Sequence, residues 1–194
     1  MVLGGTQLAM SAVEYFPYES DDLVNMTSPG PFQDASAALR LKVSPDGTNF
    51  KLEVSGIQES ATGNPYGAHL HTHPCGEPAT PGGQPGGPHY NHDVHYYGKT
   101  FPVLGEYPSE TVAEVSPTTE AWFQFVPNAH GEATDSTFVP FLPVDPDGKM
   151  SIVVHLLPTN TDHHIPTPGG VVGSAGGRQA CFPIDATEWA PRTP

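Results

Sequence analysis

The sequence predicts an all-β protein, a Greek-key β-sandwich or flattened barrel of about eight antiparallel strands joined by long loops. Glycine and proline are abundant, at 21 and 23 residues, and only 14% of the chain is charged. Such a composition is typical of many turns and long ordered loops. Short segments that alternate apolar and polar residues recur between these turns, and no segment has the pattern of a long helix.

The first half of the chain contains one clear hairpin. Residues 8–16 are predicted as a first strand, and 18–36 as a loop broken by prolines. Leu39, Leu41 and Val43 then alternate with basic residues, SPDG forms a turn, and Leu52 and Val54 alternate with charged residues on the return. One face of this hairpin is therefore predicted to be buried and the other exposed.

Further strands are predicted at 66–72, 121–126, around 137–141, 151–157 and 179–184. Residues 75–118 are so rich in glycine and proline that no long element is predicted there, and a loop of this length is usually functional or disordered. We divide the 194 residues into an N-terminal strand and extension at 1–36, a sandwich domain at 37–184 and a C-terminal tail at 185–194.

The charge of the chain excludes two classes of partner. Lysine and arginine total 7 residues against 21 acidic ones, so the net charge is -14. Such a charge repels nucleic acid phosphates and anionic lipid, and we expect neither nucleic acid nor membrane as a partner. No segment approaches the ~20 apolar residues that span a bilayer, and the first residues lack the features of a secretory signal. The sequence leaves open whether a signal peptide was removed and whether the protein forms a homodimer.

Closely spaced histidines form a candidate metal site. His69, His71 and His73 occupy every second position before Pro74 closes the run. Because alternate side chains of a β-strand share a face, His69 and His71 would project together, close enough to hold one transition metal. Two solvated strand histidines are the alternative.

Other histidines add to this candidate site. His155 lies inside the apolar run IVVHLL, where an unpaired imidazole is costly to bury, so it requires either a metal or a hydrogen-bonded carbonyl. His89 lies in the segment GPHYNHDVH. Exposure is the expectation for the remaining histidines in loop and turn sequence, His92, His95, His130, His163 and His164.

Four imidazole ligands without carboxylate or thiolate suit copper or zinc, and a planar or distorted set favours copper. The two cysteines, Cys75 and Cys181, allow two interpretations. They either form a disulfide, which would close a long loop and imply an oxidising compartment, or remain reduced and buried in a cytosolic protein.

Four patterns, taken in order, resemble the copper/zinc superoxide dismutase family. They are HLH followed by a cysteine, GPHYN, VVH and GSAGGRQAC. The resemblance covers roughly residues 37 to 184. It implies copper ligands at His69, His71, His89 and His155, an anion-guiding arginine at Arg178, and a disulfide between Cys75 and Cys181.

The activity implied by this resemblance is dismutation of superoxide to oxygen and hydrogen peroxide by one-electron Cu(II)/Cu(I) cycling, without an organic cofactor. In the family, the histidine matching His89 bridges copper to zinc, then releases copper and takes up a proton on reduction. His89 and Arg178 are thus the expected catalytic residues. The implied disulfide places the protein in an extracellular, periplasmic or cell-surface environment.

The chain departs from the family at the zinc site. Position 97 is Tyr97, His92 and His95 fall at other offsets, and the segment before AWFQFV offers Glu120 but no histidine. We expect a copper-only member, with zinc absent or loosely held, and with His89, His95 and a nearby acid as the site if zinc does bind. The segment between His155 and Arg178 contains no lysine or arginine, so it lacks the charges of the family's guidance loop.

Arg178 is the basic residue with a motif-based link to the metal. A guanidinium stays charged and offers several donors, so it would concentrate a small anion beside the metal in a protein whose mean field repels superoxide. The alternative is an arginine that bonds loop carbonyls, and the two roles are compatible.

Two other classes of protein share parts of this pattern. A cupin-type oxygenase or isomerase is also all-β, but its motif places three or four residues between the second histidine and a glutamate, where this chain places five between His71 and Glu77. A non-enzymatic copper-binding or buffering protein on the same fold is the second alternative. Copper delivery usually needs exchangeable thiolates in a Cys-x-Cys or Cys-x-x-Cys arrangement, which this chain lacks.

Overall fold

The structure is a computed structural model that describes residues 15–20, 24–26, 30–76, 85–92, 115–143, 149–161 and 172–185. Within these ranges there are nine strands and one 3-10 turn, Glu59–Ala61. The strands are β1 Tyr15–Ser20, β2 Val24–Asn25, β3 Ser36–Ser44, β4 Gly47–Ser55, β5 Tyr66–His71, β6 Trp122–Phe125, β7 Ala133–Val139, β8 Lys149–His155 and β9 Arg178–Asp185. No helix in the described ranges is long and apolar enough to cross a membrane.

The strands form two antiparallel sheets, with strand orders β1-β3-β4-β7 and β2-β9-β8-β5-β6. The chain changes sheet after β1, β2, β4, β6 and β7, as expected when two sheets pack around one core. The predicted all-β class is confirmed. The two sheets form a sandwich that is not closed into a barrel.

The predicted hairpin is confirmed as β3 and β4. Leu39 pairs with Leu52 and Leu41 with Phe50 across the ladder, and these four side chains are at most 1% exposed. The outer face carries charge, because Glu53 forms ion pairs with both Arg40 and Lys51. The alternation in the sequence was therefore sufficient to predict the hairpin and its buried face.

The N-terminal prediction differs from the structure. β1 spans Tyr15–Ser20, so it shares residues 15 and 16 with the predicted strand 8–16 and continues into the predicted loop at 18–20, and residues 8–14 lie outside the described ranges. β1 pairs with β3, and β2 pairs with β9 through Val24 and Cys181. Both are edge strands, where Pro17 of β1 is tolerated despite its missing donor. Their pairing partners are not visible in their own short sequences, so local patterns did not predict them.

The five-stranded sheet is buried on both faces near its centre. All six residues of β5 are buried. Ala68 and Leu70 of β5 pack in the core with Ile152 and Val154 of β8. The other face carries the histidines, which are contacted there by Gly87, Thr159 and Gly176 of the neighbouring loops. The sheet thus has one apolar face for folding and one covered polar face.

A disulfide joins Cys75, just after β5, to Cys181 in β9. The two Cα atoms are 5.7 Å apart and the residues are separated by 106 positions. The predicted pairing is confirmed. The bond attaches the loop that follows the histidine strand to the sheet.

Removing this disulfide is expected to destabilise the protein. In the loop-entropy model, a bridge that closes a loop of about 100 residues stabilises by about 4 to 5 kcal/mol. We expect the double variant Cys75→Ala, Cys181→Ala to lose a free energy of unfolding of this order, measured by urea unfolding of metal-free protein. Two free thiols titrated in unfolded, unreduced wild-type protein would contradict the bond itself.

Candidate metal centre

Four histidine side chains meet on the covered face of the five-stranded sheet. They are His69 and His71 of β5, His155 at the end of β8, and His89, whose backbone forms an isolated β-bridge with that of His71. Each ring offers one nitrogen, Nδ1 or Nε2, and these four nitrogens all lie within 4.8 Å of one another. His69, His71 and His155 are at most 4% exposed, and the His89 side chain is 25% exposed. The structure therefore brings together the four residues to which the sequence resemblance assigns copper.

Strand register explains why three of them share a face. His69 lies opposite Val153, and His71 lies opposite Ser151. Side chains directly opposite in a ladder point to the same face, and His155 is two positions beyond Val153. A register irregularity falls between Val154 and His155. The extra residue, Gln179, belongs to β9, so β8 keeps its alternation and His155 stays on the face of Val153.

The hydrogen bonds of His71 and His155 determine which ring nitrogens face inward. The Nδ1–H of His71 donates to the Gly87 carbonyl at 2.9 Å, and the Nδ1–H of His155 donates to the Gly176 carbonyl at 3.1 Å. A carbonyl only accepts, so we assign both protons to Nδ1. Each Nε2 then presents a lone pair, and these two atoms lie 3.4 Å apart. Two lone pairs directed at one point form a suitable site for a cation.

The buried rings disfavour protonation. Burial is the largest cause, and together with the neighbouring His89 and Arg178 it lowers the pKa of His155 to about 4 against the raising effect of the Gly176 carbonyl. Burial is also the largest cause that lowers the pKa of His69 and His71 well below 6.5, followed by the charge of His89. At neutral pH these imidazoles are neutral, and neutral imidazole is the form that binds a metal.

His69 is held by a contact that the sequence did not suggest. Its Nε2 lies 2.8 Å from the hydroxyl of Thr159, and its Nδ1 lies 3.0 Å from Nε2 of His89. Thr159 is buried at 5% exposure. A Cβ on Gly67 would lie only 2.6 Å from the Thr159 hydroxyl, so the strand carries glycine where this hydroxyl enters. In the tautomer in which Nε2–H donates to the Thr159 hydroxyl, Nδ1, the nitrogen that faces His89, is available to a metal.

His89 is oriented by Glu120. Its Nδ1–H donates to Glu120 Oε2 at 3.0 Å, which leaves Nε2 facing the other three rings. Trp122 Nε1–H donates to the same oxygen at 2.8 Å, and Asn91 donates to the other oxygen at 3.3 Å. Glu120 is only 4% exposed. A buried carboxylate with several donors is a stable partner for a metal-binding histidine.

Arg178 lies directly across the ladder from His155. Its guanidinium donates to the carbonyl of Pro85, and to that of Gly87 at 2.6 Å. The Gly87 carbonyl also accepts from His71, so Arg178 is two hydrogen bonds from a candidate metal ligand. Burial lowers the pKa of Arg178, although an arginine remains charged in proteins. Arg178 thus anchors the loop that contains Pro85 and Gly87 to β9.

The remaining histidines are outside this group. The His92 ring stacks on Phe141 at a centroid distance of 4.2 Å and an interplanar angle of 5°. His73 lies beyond β5 with its Nδ1 at 2.7 Å from the Thr72 hydroxyl, and His130 is exposed in the turn between β6 and β7. His95, His163 and His164, and with them the alternative zinc site built on His95, lie outside the described residues.

Sequence reasoning missed the partners of the four rings. It noted Glu120 only as a remnant of a zinc motif, and it assigned no role to Thr159, Trp122 or Asn91. One local signal was present, because Glu120 and Trp122 are two positions apart at the start of a strand, which puts both side chains on one side. Thr159 had no such signal, since it is 90 positions from His69.

Comparison with known proteins leaves the function open. No protein-family model matches the chain, and no curated protein matches it. A solved structure titled "Crystal Structure Analysis of the clock protein EA4" is similar over 95% of this chain and 99% of that chain, with 17% sequence identity and a TM-score of 0.49. At this level the likeness supports no conclusion about this chain.

The metal-free protein is expected to lose stability as the pH falls from 6.5 towards 4. The pKa of His155 is about 4 in the folded protein against 6.5 for an ordinary histidine. Between these values the unfolded chain binds more protons, so the free energy of unfolding decreases as pH falls and is insensitive to this group above 6.5. His155 alone would contribute on the order of 3 kcal/mol across this window.

Urea unfolding of metal-free protein between pH 7.5 and 4 measures this dependence. Carboxylates also titrate at the acid end, so His155→Gln is the matched variant whose curve isolates the histidine contribution. Between pH 6.5 and 5, where carboxylates contribute least, we expect the free energy of unfolding of the variant to depend less steeply on pH than that of the wild type. Identical slopes in the two proteins would show that His155 is not buried as a neutral ring.

Proposed function

We propose that this protein is a copper-dependent superoxide dismutase. The observation that carries the proposal is the convergence of four imidazole nitrogens, within 4.8 Å of one another, in a site where backbone carbonyls fix the tautomers of His71 and His155. A site of this kind is preorganised for a cation. The four motifs found in family order in the sequence supply the choice of reaction.

The donor set supports copper. All four candidate ligands are imidazoles, with no carboxylate or thiolate among them. Imidazole nitrogen suits copper, zinc, iron and nickel, and divalent copper has the highest affinity in this series. When bound, copper would supply one-electron chemistry, in which one superoxide is oxidised to oxygen and a second is reduced to hydrogen peroxide with two protons.

The protein residues would orient the site and control access. His69, His71 and His155 are shielded, and the 25% exposure of the His89 side chain leaves the approach from its side. A small anion fits such an approach better than an organic substrate does. Glu120 holds the proton of His89 on Nδ1, so Nε2 is the nitrogen that this ring would offer to copper.

The disulfide supports an oxidising environment. A bond between Cys75 and Cys181 is typical of extracellular, periplasmic or cell-surface proteins. We propose one of these locations, with superoxide as the small-molecule substrate and without a nucleic acid or membrane partner. Zinc is not required, because Glu120 occupies Nδ1 of His89, the nitrogen through which that ring would bind a second metal.

A copper-binding protein without turnover is the second candidate. It would use the same four histidines, and the partly exposed side of His89 would admit copper itself. Against copper delivery stands the state of the two cysteines, which are joined to each other and so offer no thiolate for exchange. A turnover measurement distinguishes this candidate from the enzyme.

Copper loading and catalysis are tested together. We expect the reconstituted protein to show an electron spin resonance signal with nitrogen hyperfine splitting, and to consume superoxide in stopped-flow measurements. His155→Ala should abolish turnover, because it removes a ligand from a buried strand that cannot adapt. His130→Ala, which changes an exposed turn histidine, is the matched control and should change neither signal nor rate.

Two results would overturn the proposal. One is a protein that holds no copper after reconstitution. The other is a protein that binds one copper with the expected signal and yet leaves the spontaneous decay of superoxide unchanged, which would favour the buffering candidate.

Arg178 is expected to guide superoxide as well as to anchor the loop. Replacing Arg178 by Gln should lower the second-order rate by ~10-fold or more, within the range of steering effects. Arg178→Lys keeps the charge but cannot donate to both carbonyls in the same way. A guidance role predicts that Lys retains more of the rate than Gln at equal copper content, and that added salt narrows the difference.

Lys42→Gln is the charge-matched control. Lys42 is exposed on β3, in the other sheet, and its loss changes the net charge equally. It should leave the rate almost unchanged. If Arg178→Gln keeps the full rate with copper bound, or loses rate only in proportion to lost copper, Arg178 is an anchor alone.

A further inference from the structure

Trp122 lies beside the candidate centre without being part of it. It is the first residue of β6 and pairs in register with His69 of β5. The centroid of its indole ring is 6.2 Å from that of His69, and the residue is 6% exposed. Glu120 precedes it by two positions, so the two side chains extend to the same side of the chain.

The indole of Trp122 and the ring of His89 donate to the same carboxylate oxygen of Glu120. Trp122 Nε1–H donates to Glu120 Oε2 at 2.8 Å, and the same oxygen accepts the Nδ1–H of His89 at 3.0 Å. Asn91 donates to the second oxygen at 3.3 Å. The carboxylate therefore cannot rotate away from His89 without breaking its bond to the indole.

The indole itself is confined. Gly173 adopts φ +81°, and a Cβ at that position would lie 3.2 Å from Cζ2 of Trp122 and 2.7 Å from Val115. The loop thus closes over the ring with no space for a side chain. A buried indole N–H needs an acceptor, and among the hydrogen bonds described for this ring the acceptor is Glu120.

We propose that Trp122 is a positioning residue that acts through Glu120 on His89, and so sets the relative affinity of the centre for Cu(II) and Cu(I). This inference rests on the proposed copper site and goes beyond the dismutase activity. A carboxylate bonded to Nδ1–H makes the opposite nitrogen of an imidazole a stronger donor. A stronger donor favours Cu(II), so relaxing the carboxylate should raise the midpoint potential.

A double-mutant cycle on the copper-loaded protein tests this route. We expect Trp122→Phe, which keeps an aromatic ring and removes the donor, to raise the midpoint potential. The expected size is on the order of a tenfold change in relative affinity, or about 59 mV for a one-electron couple. Glu120→Gln should raise it too, and adding Trp122→Phe to Glu120→Gln should add little, because coupled residues are not additive.

Two outcomes overturn the inference. One is an unchanged potential and spin resonance spectrum in Trp122→Phe. The other is that Trp122→Phe shifts the midpoint potential by the same amount whether residue 120 is Glu or Gln. That result would mean that the indole acts by packing alone. If the cycle behaves as expected but superoxide is not consumed, the proposed function fails while the positioning role stands.

A second measurement needs no change at position 122. The chain has two tryptophans, so in metal-free protein labelled with ¹⁵N the variant Trp189→Phe assigns both indole N–H resonances. Glu120→Gln should move the Trp122 resonance, whereas Lys42→Gln, a surface change in the other sheet, should leave it in place. A Trp122 resonance that stays put in Glu120→Gln would show that the indole does not bond Glu120, whatever the behaviour of the Trp122 variant.

Discussion

The centre depends on one electrostatic constraint, the meeting of two buried lone pairs. Nε2 of His71 and Nε2 of His155 lie 3.4 Å apart, and both carry lone pairs because the backbone carbonyls of Gly87 and Gly176 hold the protons on Nδ1. Burial lowers the pKa of both rings, so a proton does not readily resolve the conflict. A metal cation would resolve it, and the hydrogen bonds to the two carbonyls keep these rings in place.

One of these carbonyls also links the site to the rest of the fold. The Gly87 oxygen accepts from His71 and from Arg178, and the preceding segment is held by the bond from the His73 backbone N–H to the Gly86 carbonyl. The disulfide at Cys75 then attaches the same loop to β9. Sheet, loop and disulfide thus share one support, so loss of the bridge should loosen the orientation of His71 as well as destabilise the fold.

The other side of the centre relies on a carboxylate. Glu120 bonds Nδ1 of His89, and Trp122 and Asn91 hold the carboxylate in turn. His69 is supported differently, by the uncharged hydroxyl of Thr159. The four rings therefore have three kinds of partner, a carbonyl, a carboxylate and a hydroxyl, and they should differ in donor strength accordingly. His89, with the charged partner and the greater exposure, is distinct among them.

Sequence alone determined the features that repeat locally. Alternation predicted the β3–β4 hairpin, the spacing of His69 and His71 predicted a shared face, and the apolar run around His155 predicted a buried imidazole that needs a partner. Tertiary structure decided which groups serve as those partners. Carbonyls of Gly87 and Gly176 carry no side-chain signal, Thr159 is 90 positions from His69, and the edge strand β2 pairs with the distant strand β9. Long-range backbone contacts have no local period, and for that reason only the folded chain reveals them.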